Sequence, residues 1–324
     1  MKRILSGIQP SGALHIGNYF GMMEKMIRYQ DESDLFAFIA NYHAMTTVTD
    51  GAELASHTFD TAATFLALGI DPDRSTFWVQ SDIPEVQELT WVLSTVTPMG
   101  LLERCHSFKD KVARGIVPNH GLFAYPVLMA ADILLFGTNV VPVGRDQKQH
   151  LEVARDLAIK FNLAHGETFV VPDAEIDDEV AVIPGTDGQK MSKSYGNAID
   201  IFTSRDELKK SVMSIKTDAT PIEDPKDPDK CNVYNITKLF IGKEENAELR
   251  DRYLRGGLKY SEVKKELIEI IWNFFEPHRE KRRHFDERPD EVYDILRAGA
   301  AKARKAAMPY LEKVRAATGL TYRK

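Results

Sequence analysis

The chain reads as an α/β protein, a doubly wound parallel sheet with an appended α-helical domain. Three observations carry this reading. Short apolar runs alternate with helical patterns from residue 3 to about 183, the order that builds a parallel sheet. The run 34–40 is almost wholly apolar after its first residue, as a strand covered on both faces must be. Beyond about residue 200 no strand pattern survives. The division therefore falls at 1–200 and 201–324.

Taken in order, the apolar run 3–8 leads into Pro10-Ser11-Gly12-Ala13-Leu14-His15-Ile16-Gly17-Asn18. That is a strand, a glycine-rich turn and a helix over about 17–30. The second strand, 34–40, ends beside Asn41, Tyr42 and His43. Asp50-Gly51-Ala52-Glu53 is a capping-box pattern for a helix that stops at Gly69. A third strand covers 75–80, and Asp82 and Pro84 open a helix whose Trp91 is assigned to the core. Residues 122–136 predict a helix and 138–143 a strand, followed by Gly144-Arg145-Asp146-Gln147-Lys148-Gln149-His150. The acidic stretch 173–179 reads as a loop and 180–183 as the final strand. Ser204-Arg205-Asp206-Glu207 is a second capping box, and 218–230 a Pro-rich, acidic connector. Helices are predicted over 233–242, over 261–276 with Pro277 as the stop, and over 290–317.

Composition bounds the function. At 324 residues, with 43% hydrophobic and 28% charged residues, the chain is a globular protein of two domains. No leader pattern opens it, and the most apolar stretch, 122–136, contains Pro126 and Asp132 and is too short to cross a bilayer. Cys105 and Cys231 are the only cysteines, which implies no disulfide framework or zinc site and a reducing, cytoplasmic setting. A net charge of −6 argues against indiscriminate nucleic-acid binding but leaves local basic surfaces. Candidates are Lys109, Lys111 and Arg114; Arg279, Lys281, Arg282 and Arg283; and Arg297, Lys302, Arg304 and Lys305. Each also fits a solvated helix face.

Three features carry chemistry. In the first turn, His15 and Asn18 sit three apart at a helix start, where backbone N–H groups and the helix dipole favour an anion; an ordinary βα turn is the alternative. Lys190-Met191-Ser192-Lys193-Ser194 places two lysines three apart on a loop expected to be mobile, able to neutralise a polyphosphate. Tyr125, Met129 and Asp132 share one face of a helix. Asp132 in so apolar a helix needs a donor, from an arginine, a backbone cap or a ligand. His43 is open between a structural role and ligand binding. Gly144, Asp146 and Gln147 stand at a strand end, where such sheets bind ligands.

The first turn and the lysine loop together form the HIGH plus KMSKS combination, so the chain resembles the class I aminoacyl-tRNA synthetases. With Gly7-Ile8-Gln9-Pro10-Ser11-Gly12, Leu128-Met129-Ala130-Ala131-Asp132-Ile133 and the 144–150 stretch, it is similar to the bacterial-type tryptophanyl-tRNA synthetases over nearly its whole length. Where tyrosine enzymes carry a Gln in the Tyr-x3-Gln-x2-Asp frame, Met129 stands, a polarizable apolar bed for a large ring. The resemblance implies a Rossmann-type core, attachment of L-tryptophan to tRNA(Trp) through an adenylate, ATP with Mg²⁺, and a homodimer. It assigns catalysis to His15, Asn18, Lys190, Lys193 and Lys111. ATP would be bound by Gln9, Pro10, Ser11, Gly17, Asn18, Gly144, Arg145, Asp146, Ile183 and 190–194. Tryptophan would lie among Asp132, Met129, Tyr125, Gln147, His43, Leu5, Val141 and Val143. Departures are Leu5 where many relatives have Phe, Arg145 for an acidic residue, Ser107 for Gln, and His15 where bacterial tryptophan enzymes commonly have Thr. The competing readings are a tyrosyl-tRNA synthetase, a small nucleotidylyltransferase, and a non-catalytic paralogue that binds tryptophan or RNA.

Overall fold

The computed structural model describes residues 1–10, 12–105, 108–109, 113, 115, 117–144, 148–176 and 183–322. Five strands, β1 (Arg3–Ile8), β2 (Asp34–Ile39), β3 (Thr76–Val79), β4 (Val140–Val143) and β5 (Asp173–Ile176), form one sheet in the order β3-β2-β1-β4-β5. Every pairing is parallel, with Leu5 opposite Phe36 and Phe38 opposite Trp78. The strand order reverses between β1 and β4, and the crevice above that switch point is where ligands bind in open α/β sheets. Gln9, Asn41, Gln80 and Gly144 follow the carboxyl ends of β1, β2, β3 and β4 and form its rim.

Alternation along the strands divides the core in two. Leu5, Phe36, Phe38, Trp78, Val141 and Val143 face one cluster with the helices Glu85–Val96, His120–Leu134 and Lys148–His165. Ile4, Ile8, Leu35, Ile39, Phe77 and Val79 face the other, which runs on without a break into Ile215, Tyr234, Tyr253, Leu267 and Phe275 of the helical region. The last helix, Pro289–Thr318, lies along β3 so closely that a Cβ on Gly299 would meet the Phe77 carbonyl oxygen at 1.7 Å. It thereby covers an edge strand that would otherwise offer unpaired backbone. Arg315 grips Glu88 through two bonds of 2.7 and 2.6 Å. Among the described residues no helix is long and apolar enough to cross a membrane, and Cys105 and Cys231 are both free and buried.

Of the two predicted capping boxes, the one at Asp50 forms as a one-way N-cap and the one at Ser204 forms in full. Asp50 accepts from the Glu53 N–H at 2.9 Å, ahead of Gly51–Leu68, and Ser204 and Glu207 cap Arg205–Met213 reciprocally. The first helix is interrupted by a π-helical stretch, Tyr19–Met23, between Ile16–Asn18 and Glu24–Glu32; such inserts favour functional sites.

Four expectations are corrected, and a fifth falls largely outside the described residues. The fifth strand is Asp173–Ile176, within the stretch read as a loop; as an edge strand it carries charges, Glu175 on Lys25 and Asp173 on Arg155, which hid it. The strand expected at 180–183 lies outside the described residues except for Ile183. Trp91 is 73% exposed, on the outer face of its helix rather than in the core. Pro277 begins a helix, Glu276–Glu287, instead of only ending one, because proline fits the first helical turn. The helix predicted over 233–242 stops at Thr237, and a separate helix, Lys243–Arg255, follows.

Candidate active site

The turn after β1 is a capping box in its own right. His15 Nδ1 accepts the Asn18 backbone N–H at 3.2 Å, and Asn18 Oδ1 accepts the His15 backbone N–H at 3.0 Å. This reciprocal pair fixes the imidazole: with Nδ1 an acceptor, the proton sits on Nε2. The His15 Nε2–H and the Asn18 NH₂ are the donors left over. Gly17 is required by close approach, since a Cβ there would stand 2.9 Å from His15 Nδ1 and 3.2 Å from Met191 Cβ.

The second contact is supplied by the lysine loop. Lys193 Nζ lies beside Gly12, 3.2 Å from where a Cβ would be, and Met191 is buried against the turn. Backbone pairing locks the two stretches together: the Ile16 N–H donates to Ile199 O at 2.9 Å and the Ile201 N–H to Leu14 O at 3.0 Å. Ile183 is held within the loop, its carbonyl accepting the Met191 N–H at 2.9 Å. Lys190, Lys193 and Ser194 are exposed and Ser192 half-buried, and the Ser192 and Ser194 hydroxyls are 2.9 Å apart.

Burial, and secondarily the Lys193 ammonium, push the His15 imidazole down to about 4 from 6.5. It is therefore a neutral donor at physiological pH. The unfolded chain takes up the proton first, so this site's stability contribution is intact above about pH 6.5 and erodes as pH falls toward 4. Between pH 7 and 4.5 the loss is on the order of 2–3 kcal/mol. His15→Asn keeps a good helix cap and should remove that component. Urea denaturation at the two pH values checks it, and an unchanged pH dependence would contradict it.

The third part lies over β2 and β3. Asp132, 2% exposed, accepts from His43 Nε2 at 2.9 Å and from Gln80 Nε2 at 2.9 and 2.7 Å. Burial raises its carboxyl above the usual range, opposed chiefly by the His43 bond. Gln80 Oε1 accepts the Tyr42 N–H at 3.0 Å, which fixes the amide so that its NH₂ faces Asp132. The Tyr125 ring stands edge-on to His43, centroids 6.2 Å apart, and its hydroxyl bonds His150 Nε2 at 2.6 Å. Met129 is half-buried on the same cluster as Leu5, Val141 and Val143, which are almost wholly buried.

The structure thus brings together His15, Gly17, Asn18, Met191 and Lys193, and separately Tyr125, His43 and Asp132. Gln9 and Gly144 are exposed on the rim, and Pro10 is buried beside it. Ser11, Ser107, Lys111, Arg114, Arg145, Asp146 and Gln147 lie outside the described residues. Sequence reasoning missed Gln80 and His150. Gln80 had a signal, its place at the end of a strand, but a lone glutamine carries no motif. The basic clusters are partly structural: Arg282 holds Asp60, Asp286 and Thr64, Arg279 stacks on Trp272 at 3.7 Å, Arg304 pairs with buried Glu85, Arg297 pairs with Asp294 and Lys302 caps Pro72 O. Lys109, Lys281, Arg283 and Lys305 remain exposed.

A switch-point turn with preset donors, closed by a docked lysine loop, defines a nucleotide-binding core of the class I synthetase type. The family model "tRNA synthetases class I (W and Y)" matches residues 1–276. Tryptophan--tRNA ligase of Campylobacter jejuni is 54% identical over 318 residues, 98% of this chain and 100% of that protein. The Fusobacterium nucleatum enzyme of the same name is 51% identical over 321 residues, 99% and 98%. The crystal structure of the Campylobacter jejuni tryptophanyl-tRNA synthetase complexed with ADP and tryptophan superposes with a TM-score of 0.93, covering 98% of this chain and 99% of that one at 54% identity. The chain belongs to the class I tRNA synthetases for tryptophan and tyrosine, on their tryptophan branch.

Proposed function

We propose that this chain activates L-tryptophan with ATP, releasing pyrophosphate, and transfers the tryptophanyl group from the adenylate to tRNA(Trp). The observation that carries the reading is the packing of Lys193 and Met191 on the His15–Asn18 turn at the sheet's switch point. The attacking group is the substrate's own carboxylate, so catalysis consists of alignment with the α-phosphate and stabilisation of charge on the leaving pyrophosphate. The neutral His15 Nε2–H and the Asn18 NH₂ donate to phosphate oxygens, while Lys190 and Lys193, with Lys111, neutralise the triphosphate. Gln9, Pro10, Ser11, Gly17, Gly144, Arg145, Asp146, Ile183, Met191, Ser192 and Ser194 line the rest of the ATP site. Mg²⁺ arrives with ATP as part of the substrate.

Asp132 reads the indole N–H, a donor-only group whose best buried partner is an acceptor carboxylate. Tyr125 and Gln147 hold the α-amino group, and His43, Met129, Leu5, Val141 and Val143 wall the ring. The 201–324 region takes the anticodon side of the tRNA, where Lys281, Arg283 and Lys305 are exposed cations. The enzyme works in the cytoplasm as a homodimer, and exposed Trp91 and Met99 are apolar surface of the kind a second copy covers. ATP–pyrophosphate exchange measured with each amino acid tests the reading. Exchange with tryptophan alone is expected, and exchange with tyrosine but not tryptophan would overturn it.

A further inference from the structure

The lysine loop has an internal keystone that the known motif does not include. Asn197 is 2% exposed, and its carboxamide reaches three parts of the loop. Its NH₂ donates to Asp187 Oδ1 at 2.7 Å and to Lys190 O at 3.1 Å, and its Oδ1 accepts the Ser192 N–H at 2.8 Å. Its backbone carbonyl accepts the Thr186 N–H at 2.9 Å. Asp187 also receives the Gln189 N–H at 3.0 Å, and the Gly185 N–H donates to Gln189 O at 2.7 Å to close the hairpin. The carboxamide fits against Gly185, where a Cβ would come within 2.4 Å of Asn197 Cγ. The Asn197 bond is also the chief reason the Asp187 carboxyl is held below the usual range.

These bonds fall on the peptide groups that set where the two lysines point. Lys190 is fixed through its own carbonyl, and Lys193 through the amide of the residue before it. A loop whose cations had to find their places after ATP bound would lose part of its electrostatic stabilisation to reorganisation. A loop tied by one buried carboxamide presents them ready-placed.

We propose that Asn197, keyed to Asp187, is a positioning residue that presets the Lys190–Lys193 segment for the departing pyrophosphate, so that the segment acts as a rigid unit. The inference rests on the reading of these lysines as phosphate ligands.

Asn197→Asp keeps the size of the side chain and the acceptor for Ser192, but it loses both donors and opposes the Asp187 carboxylate. The expected result at pH 8 is a fall in kcat for ATP–pyrophosphate exchange of roughly 10–100-fold, with the tryptophan KM within about twofold. Two recoveries separate positioning from simple misfolding. Relative to the unaltered chain, the variant should regain about tenfold near pH 5.5, as the introduced carboxyl, raised by its acidic neighbour, takes up a proton and donates. Adding Asp187→Asn reverses the pair and should restore kcat in part at pH 8. A wild-type kcat in Asn197→Asp, or a loss with neither pH recovery nor rescue by the reversed pair, would overturn the proposal. Lys193→Ala measured in parallel separates the two levels. If it keeps full exchange, the phosphate reading itself falls. If it loses exchange while Asn197→Asp does not, only the role of Asn197 falls.

Discussion

Lys193→Ala is expected to lower kcat for tryptophan activation by about 10²–10³-fold, the range for removing one preset group from a site of developing charge. The KM for tryptophan should stay nearly unchanged, because the ammonium stands at the His15 turn beside Gly12, away from the Asp132 cluster. An interaction made mainly in the transition state lowers kcat and kcat/KM together. A variant that instead raised the ATP KM at constant kcat would place Lys193 in ground-state binding. The substitution also removes the cation that helps to depress His15, so the His15 imidazole should titrate at higher pH in the variant. Burial, the larger cause, keeps it below its ordinary value.

Asp132→Asn carries the second large effect. The new carboxamide can keep its oxygen on His43 Nε2, but its NH₂ then takes the place of Oδ1 and faces the Gln80 NH₂, and Gln80 cannot turn its oxygen around without orphaning the Tyr42 N–H it accepts at 3.0 Å. The outcome is a buried clash of donors and the loss of the acceptor for the indole N–H. We expect kcat/KM for tryptophan to fall by about 10²–10³-fold, on the order of 3–4 kcal/mol, as sites built around one hydrogen bond do when it is mismatched. Activation of phenylalanine, which has no ring donor, should change far less. Unchanged discrimination between tryptophan and phenylalanine in exchange assays would remove Asp132 from indole recognition.

What the sequence reveals depends on how local the physics is. β1 to β4 are legible because each is a short apolar run bounded by turn residues, and the helices at Asp50 and Ser204 because their caps are written in four consecutive residues. The HIGH-type turn is legible as a helix start with donors to spare, but not as a reciprocal cap, because the tautomer of His15 is set by a backbone N–H that only the fold places. β5 is hidden because an edge strand is chosen by its partner, and Glu175 finds Lys25 and Tyr29 far away in the chain. The donors to Asp132 are hidden for the same reason. His43 and Gln80 are 89 and 52 residues distant, and they converge only because their strands end side by side. The expectation of a mobile lysine loop meets a hairpin tied to Asn197 and docked on the first turn.

The seat of the last helix on β3 bears on the order in which the molecule is made. Phe77 and Trp78 reach the ribosome exit roughly 220 residues before Gly299, which at about 5–20 residues per second is a wait of about 10–40 s. Through that interval the edge of β3 has no cover, and the parallel sheet that would bury it depends on distant contacts and forms slowly. Until the helix arrives, that bare edge is a template for pairing with other strands. The sheet is closed on that side by a helix made roughly 220 residues after the strand it covers, so a message truncated shortly before residue 289 would yield a chain with its sheet open on one side.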